Sequence, residues 1–368
     1  MSCEVAIVGA GPAGSSCAFR LARAGYAVTV VERSTFPRTK VCGEYLSAAS
    51  LAQLLELGVG PKVEACAENL RRIRLHTRGV QVDLPFGALA WSVARADLDA
   101  LLLAHAIAAG AVCLSGRVEQ VDRTSDGFVL SVRDGAGFTK ALRARVVVGA
   151  DGIGSIVARD LGLASPVRRA GRFALGGHYA GFGNLEGTIE MYVRGRSYFA
   201  INPLGHDVAN VMVIVEEKML HEWSGAIDER LREAARELGA GRRSVDDVRL
   251  LGKRVAVGPL SQRTRVAAER DAYLIGDAAG FLDPFTGQGV FLALKSASLA
   301  AEAIQSPSAD ASATYSKHHR HLFAGRARIA GFVSALIKTP GLAPFAAYNL
   351  QRNARLRDQL MHAVTGAP

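Results

Sequence analysis

The sequence predicts an α/β (α+β) fold: a domain built on a parallel sheet, an inserted antiparallel sheet, and a helical C-terminal segment. Three observations predict it. The chain opens with "CEVAIVGAGPAGSSCAFRLARAGYAVTVVER", two later apolar runs each end in an Asp beside glycines, and between about residues 164 and 267 the pattern changes to alternating apolar and polar positions. With 368 residues, 49% of them hydrophobic, the chain can bury a sizeable core, as one large domain or two interleaved ones.

The opening stretch reads as an apolar strand, a tight turn at Gly9, Gly11 and Gly14, and a helix whose Cys17, Leu21 and Ala24 recur at helical spacing. Pro12 and Ala13 fill the turn. A second apolar run, "YAVTVVE", ends in Glu32 and is followed by Arg33, which completes a Rossmann-type dinucleotide fingerprint. The glycines let the backbone approach a pyrophosphate, the helix start offers free N–H groups, and Glu32 is placed to accept from ribose hydroxyls.

The later segments specify which dinucleotide. "RARVVVGADGIGSIVARDLGL" is a buried strand running into Asp151, Gly152 and Ser155 before a short helix. "DAYLIGDAAGFLDPFTGQGVFLALKSASLAAEAI" is another, delivering Gly276 and Asp277, then Pro284, then a long helix that starts near Gly289. A carboxylate at a strand end can hold the ribityl hydroxyls of a flavin, although Asp277 also reads as a helix cap. The N–H groups at Gly287, Gln288, Gly289 and Val290 can face the edge of the isoalloxazine that becomes negative on reduction.

These three segments together resemble the FAD-binding set of the p-hydroxybenzoate hydroxylase superfamily, over most of the chain. "GAGPAG" with Glu32, "GADGIGS" and "GDAAGFLDPFTGQG" match its motifs in order, and "SVARADLDALLLAHAIAAGA" matches the helix whose arginine, here Arg95, lies near the flavin in that family. One departure is Ala158, where the family commonly has an arginine seven residues after the aspartate; Arg159 is its neighbour. Aromatic hydroxylases usually read GDAAH, whereas this chain has Gly280 in place of the histidine, and "KVCGEYL" is similar to the K-x-C-G-x-G-L loop of geranylgeranyl reductases through Lys40, Cys42, Gly43 and Leu46. Tyr45 replaces the second glycine of that loop and is expected to reshape the pocket floor. Halogenases of the superfamily carry a tryptophan pair, and Trp91 and Trp223 are isolated.

The resemblance implies non-covalent FAD, with "FPRTKVCGEYLS" turning back over the flavin. Cys42, Glu44 and Tyr45 are then candidates for proton delivery or substrate contact; the alternative reads Cys42 as a small apolar filler and Glu44 as solvated. No second GxGxxG follows, so the family pattern implies NAD(P)H visiting transiently, or a protein electron donor.

The alternating strands "RFALGGHYAGF", "GTIEMYV", "SYFAINPLG" and "VANVMVIVE" suggest an antiparallel sheet roofing a substrate pocket, followed by a charged helix "AIDERLREAARELG". Tyr198, Phe199, Asn202 and Pro203 resemble a family pocket edge, and His178 either reaches the cavity or is structural. The expected division is 1–70, 91–163 and 266–305 for the FAD-binding domain, 71–90 and 164–265 for the substrate sheet, and 306–368 for the C-terminal segment, set off by the linker "SPSADASAT".

The formal net charge of +10 is concentrated at the end: from Lys317 onward there are eight Lys and Arg against Asp358 alone. With "IAGFVSALI" and "LAPFAAYNL" beside those cations, the tail reads either as a solvated cap on the core or as a peripheral contact with an anionic membrane. No interleaving of aromatic and basic residues marks a nucleic-acid platform. Five cysteines without a CxxC pair suggest neither disulfides nor zinc, and no metal site is expected. The start lacks a basic leader and no long uncharged apolar run occurs, so a cytoplasmic protein is expected. The resemblance leads to an FAD-dependent reductase of a carbon–carbon double bond in a small hydrophobic, isoprenoid-type substrate. The alternatives are a single-component monooxygenase acting on an aromatic or polyketide substrate, and a non-catalytic flavin-binding partner.

Overall fold

In the computed structural model, which describes residues 1–166, 171–183, 185–194, 197–222, 229, 248–339 and 341–365, the strands sort into two sheets. The first contains β1 (Ser2–Val8), β2 (Val28–Glu32), β6 (Val112–Ser115), β7 (Arg117–Thr124), β8 (Gly127–Arg133), β9 (Thr139–Gly149), β15 (Ala268–Glu269) and β16 (Ala272–Leu274). The second contains β3 (Tyr45–Leu46), β4 (Glu68–Thr77), β5 (Val80–Ser92), β10 (Arg172–Ala180), β11 (Thr188–Arg194), β12 (Ser197–Gly205), β13 (Val208–Glu216) and β14 (Arg249–Val257). The described helices are α1 (Pro12–Arg23), α2 (Ala48–Glu56), α3 (Gly60–Glu64), α4 (Arg95–Ala108), α5 (Ile156–Asp160), α6 (Glu217–Glu222), α7 (Gly289–Gln305), α8 (Ala311–Lys338), α9 (Leu342–Arg352) and α10 (Ala354–Thr365).

In the first sheet, β16, β9, β1, β2 and β6 run parallel in that order. Their sequences are nearly unbroken apolar runs because helices cover the sheet: Val5, Ala6, Ile7, Val30, Val147 and Val148 are all fully buried. Helix α1 packs between α4 and α7. Parallel strands that end on the same side carry Glu32, Asp151 and Asp277 to one edge, which is why three motifs far apart in sequence meet.

The second sheet runs β14-β10-β13-β12-β11-β4-β5-β3 and is antiparallel except for the β11–β4 pair. Its two faces follow the two-residue period. One face buries Tyr198, Met191, Met212 and Ile214 toward the cofactor side, and the other buries Phe199, Ile201, Val211 and Val213 with Tyr179 and Tyr192. The boundaries expected at 71 and 90 fall inside β4 and β5, and the sheet also takes β3 from the loop after β2. Helices α9 and α10 lie on β5, burying Ala347, Leu350 and Met361 against Val82 and Leu84, so the tail caps the core there. It leaves Phe332, Phe345 and Leu356 exposed. The charged helix expected at 226–239 lies outside the described residues, apart from Glu229.

Candidate functional site

The first glycine turn is fixed by close approach of backbone. A Cβ on Gly14 would stand 1.9 Å from the Gly9 carbonyl oxygen, and one on Gly9, whose φ is +100°, would stand 2.6 Å from the Ala150 carbonyl oxygen. At Gly11 a Cβ would meet only the guanidinium ends of Arg38 and Arg95, at 3.7 and 4.0 Å, because that residue faces a cavity. Pro12 and Ala13 open α1 with no side chain capping the helix start, so the positive end of the helix dipole is directed at the turn. A pyrophosphate fits this cradle.

Glu32 is buried, with Oε2 accepting from the Ala10 N–H at 2.8 Å and Oε1 from the Ser34 N–H at 2.9 Å. Arg38 lies 3.7 Å from Glu32 and 3.3 Å from Asp99. Asp99 in turn takes two hydrogen bonds of 2.8 Å from Arg95. Burial opposes the charge on Arg95, but the paired Asp99 prevails and raises its pKa above the ordinary value. Burial pushes Asp277 up, opposed by Lys40 and Arg95, while burial and the adjacent Arg95 push Lys40 down. Asp151 accepts from the Ile156 N–H at 2.6 Å and is raised by burial. These are carboxylates and cations gathered where ribose, phosphate and ribityl groups of a dinucleotide would need partners.

One cavity of about 740 Å³ is lined by Gly9, Gly11, Glu32, Arg33, Lys40, Cys42, Gly43, Asp151, Gly152, Asp277 and Pro284 on the cofactor side. Its far wall is apolar: Ala174, Met191, Ala200, Met212, Ile214 and Val257, with Tyr198. Cys42 is half-buried where the cofactor side meets that wall, its Sγ accepting from the Glu44 N–H at 3.3 Å. The loop 36–47 therefore forms the wall between the nucleotide cradle and the second sheet. Its carbonyls are held from the sheet by Asn202, which donates to Gly43 O at 2.8 Å and Glu44 O at 3.1 Å, and by Asn210, which donates to Cys42 O at 2.7 Å.

Several expected site residues stand elsewhere. Glu44 is not solvated: at φ +57° it turns inward, 3% exposed, and its carboxylate accepts from the Arg95 N–H at 2.7 Å and pairs with His178 at 2.8 Å. It anchors the loop to the start of α4, and neither it nor His178 lines the cavity. Tyr45 lies under the loop, stacked on Phe86 and against Gly287, where a Cβ would meet its ring at 2.5 Å. Phe199 faces the opposite side of the sheet from Tyr198 and stacks on Tyr192, so it is not a pocket residue. Asn202 supports the loop from below, and Pro203 is buried opposite Ala209 in the β12–β13 pair. Ser155 caps α5 through the Ala158 N–H. Gly276 packs against Ala13 and donates its N–H to Ser296. At the start of α7, Gln288 is tied to the Val364 carbonyl and to Arg326, Val290 is in the core and Gly289 is exposed.

The sequence reading missed Arg38, Asp99 and Asp283. Asp99 had a signal, four residues after Arg95 on the same helix face. Asp283 had none: it gathers Arg172 of β10, the hydroxyl of Tyr198 at 3.0 Å and that of Ser334 at 3.3 Å, from three distant segments.

A family profile described as FAD binding domain matches residues 2–324. The chain is 31% identical over 330 residues to the menaquinone reductase of Mycobacterium tuberculosis (strain CDC 1551 / Oshkosh), covering 83% of this chain and 77% of that protein. It is 28% identical over 322 residues to digeranylgeranylglycerophospholipid reductase 1 of Methanothermobacter thermautotrophicus, covering 81% and 76%. Among solved structures, the flavin-dependent brominase Bmp2 superimposes with a TM-score of 0.83 over 100% of this chain and 94% of that one, at 21% identity, a likeness of fold. The chain thus belongs to the FAD binding domain family, the p-hydroxybenzoate hydroxylase-like flavoproteins, and is an FAD-dependent oxidoreductase.

Proposed function

We propose that the protein reduces a carbon–carbon double bond in an apolar, prenyl-type substrate. The observation that carries this reading is the continuity of the cavity, in which the cofactor residues Glu32, Asp151 and Asp277 share one space with Cys42 and an apolar ceiling of Met191, Ala200, Met212 and Ile214. The names of two relatives point the same way, since menaquinone and digeranylgeranylglycerophospholipid both carry prenyl chains.

Glu32, Asp151 and Asp277 would hold FAD, which in its reduced form would supply a hydride equivalent to one alkene carbon. The chain's residues supply the remainder. The ceiling excludes water and holds the apolar chain, and the small side chains of Ala174 and Ala200 leave it room. The Cys42 thiol gives its proton to the second alkene carbon, and water restores it. The product is the substrate plus two hydrogens; the electrons would come through the cofactor from NAD(P)H or a protein donor. Turnover under labelled dioxygen tests the reading: a product without label supports it, and incorporated label replaces it with monooxygenation.

A further inference from the structure

A second, larger space lies outside the site just described. A groove of about 1180 Å³ runs between α8, the segment 260–267 and the loop 279–284, and it shares Leu260, Phe281 and Pro284 with the cofactor cavity. Its floor is apolar, with Phe281, Leu282 and Phe323 beside small residues of α8, and Gly280, which lacks a side chain, faces Phe323 at 3.6 Å from its would-be Cβ.

The groove has a direction. At one end Ser334 and Arg172 meet Asp283, which also bonds Tyr198 of the cofactor cavity. Asp283, Glu216 and Glu217 cluster at that end, where Arg172 pairs with Asp283 and sits opposite Glu216 in the strand register. Toward the other end stand Arg263 and Arg320, both exposed and in no ion pair among the described residues, whereas Arg265 is taken by Glu269 at 2.6 Å. Arg320 and Ser334 are separated on α8 by about 21 Å at the helical rise.

One group in the groove calls for a ligand. His319 is 6% exposed, lines the groove, and its Nε2 has no hydrogen-bond partner. Burial holds this imidazole neutral, with its pKa lowered to about 4. A buried polar atom left without a partner is costly, and native proteins rarely keep one without a use.

We propose that this groove binds an anionic amphiphile, its charged head at Arg263 and Arg320 and its apolar chain lying along α8 toward the opening at Leu260, Phe281 and Pro284. His319, its Nε2 buried beneath the groove surface, reaches a head-group oxygen on a turn of its ring. The proposal rests on the prenyl-type reading above and extends it, because it assigns the part of the substrate outside the flavin cavity to a site of its own.

The test is equilibrium binding of farnesyl diphosphate to the FAD-loaded protein, without turnover. Ala327→Trp, which fills the groove from an exposed position, and the pair Arg263→Glu with Arg320→Glu are expected to weaken binding at least about tenfold, while His319→Phe weakens it about threefold and keeps the stacking on Phe323. FAD content is expected to stay at the wild-type level. Parallel measurements on phosphatidic acid vesicles separate a soluble prenyl phosphate from a bilayer lipid as the source of the head group. Unchanged affinity in both groove variants would overturn the proposal, as would an equal loss of NADPH binding with farnesyl diphosphate unaffected. Silent groove variants in a protein that still reduces alkenes would remove only the groove; intact groove binding with no alkene reduction would remove only the reductase reading.

Discussion

His178 Nε2 stands 2.8 Å from Glu44 Oε2, and the other oxygen of that carboxylate accepts the Arg95 N–H at 2.7 Å. One buried acid therefore joins β10, the cofactor loop and the start of α4. The hydrogen bond that the imidazolium donates to Glu44 raises the His178 pKa above the ordinary 6.5 despite burial, which opposes it. A raised imidazole contributes stability that is fully present below the ordinary value and is lost as pH rises through the folded-state value. The difference in Tm between the wild type and His178→Gln is accordingly expected to be largest below the ordinary value of 6.5 and to shrink as pH rises through the raised folded-state value. A difference that is flat or grows with pH would contradict the pairing.

Glu44→Gln keeps the shape but removes the charge facing His178 and the helix start. It is expected to cost about 2 kcal/mol in denaturant unfolding, with the loop around Cys42 becoming more accessible to thiol reagents. A neutral result would mean that Asn202, Asn210 and the hydrogen bonds from Ser92 and Val93 to the Glu44 carbonyl suffice to hold the loop.

The glycine cradle gives a sharper expectation. Gly14→Ala places a methyl 1.9 Å from the Gly9 carbonyl oxygen, so the protein is expected to purify with less than about a tenth of its flavin, since the turn must open to accept it. Gly11→Ala, whose methyl makes only ordinary contact with the Arg38 and Arg95 guanidinium ends, should fold normally and lose affinity because the methyl occupies the pyrophosphate position.

Cys42→Ala removes the proposed proton source while leaving the cofactor contacts in place. The rate of alkene reduction is expected to fall about 100-fold, the lower end for a positioned general acid, with FAD content unchanged. Retention of the full rate would assign the proton to water and leave Cys42 as a packing residue.

The exposed Phe332 and Phe345, on consecutive helices that also carry Arg328 and Arg352, predict binding to anionic vesicles. Phe332→Glu with Phe345→Glu is expected to abolish cosedimentation with phosphatidylglycerol vesicles at about 0.1 M salt and to leave flavin content unchanged. Equal cosedimentation of the variant would exclude these side chains as the contact.

The cofactor cradle was legible because each of its parts is local: a glycine turn, an acid at a strand end and a helix start lie within a few residues of one another. What was not legible depends on pairings across the chain. Glu44 reads as a surface acid until His178, 134 residues away, is brought beside it. Asn202 resembles a pocket residue but is spent on the loop's carbonyls. Phe199 is different, since the two-residue period already separates it from Tyr198 and could have removed it from the pocket. The start of α7 reads as an open flavin contact, yet the C-terminal helices reach back to Gln288 through Arg326 and Val364.

The most direct test is anaerobic. The FAD-loaded protein is reduced, mixed with a panel of prenyl alkenes, and the flavin absorbance is followed before any air is admitted. Reoxidation in the absence of oxygen, with a product two hydrogens heavier and a rate that falls in Cys42→Ala, is the predicted result. Flavin that stays reduced with every alkene until oxygen enters, followed by a product one oxygen heavier, would contradict it.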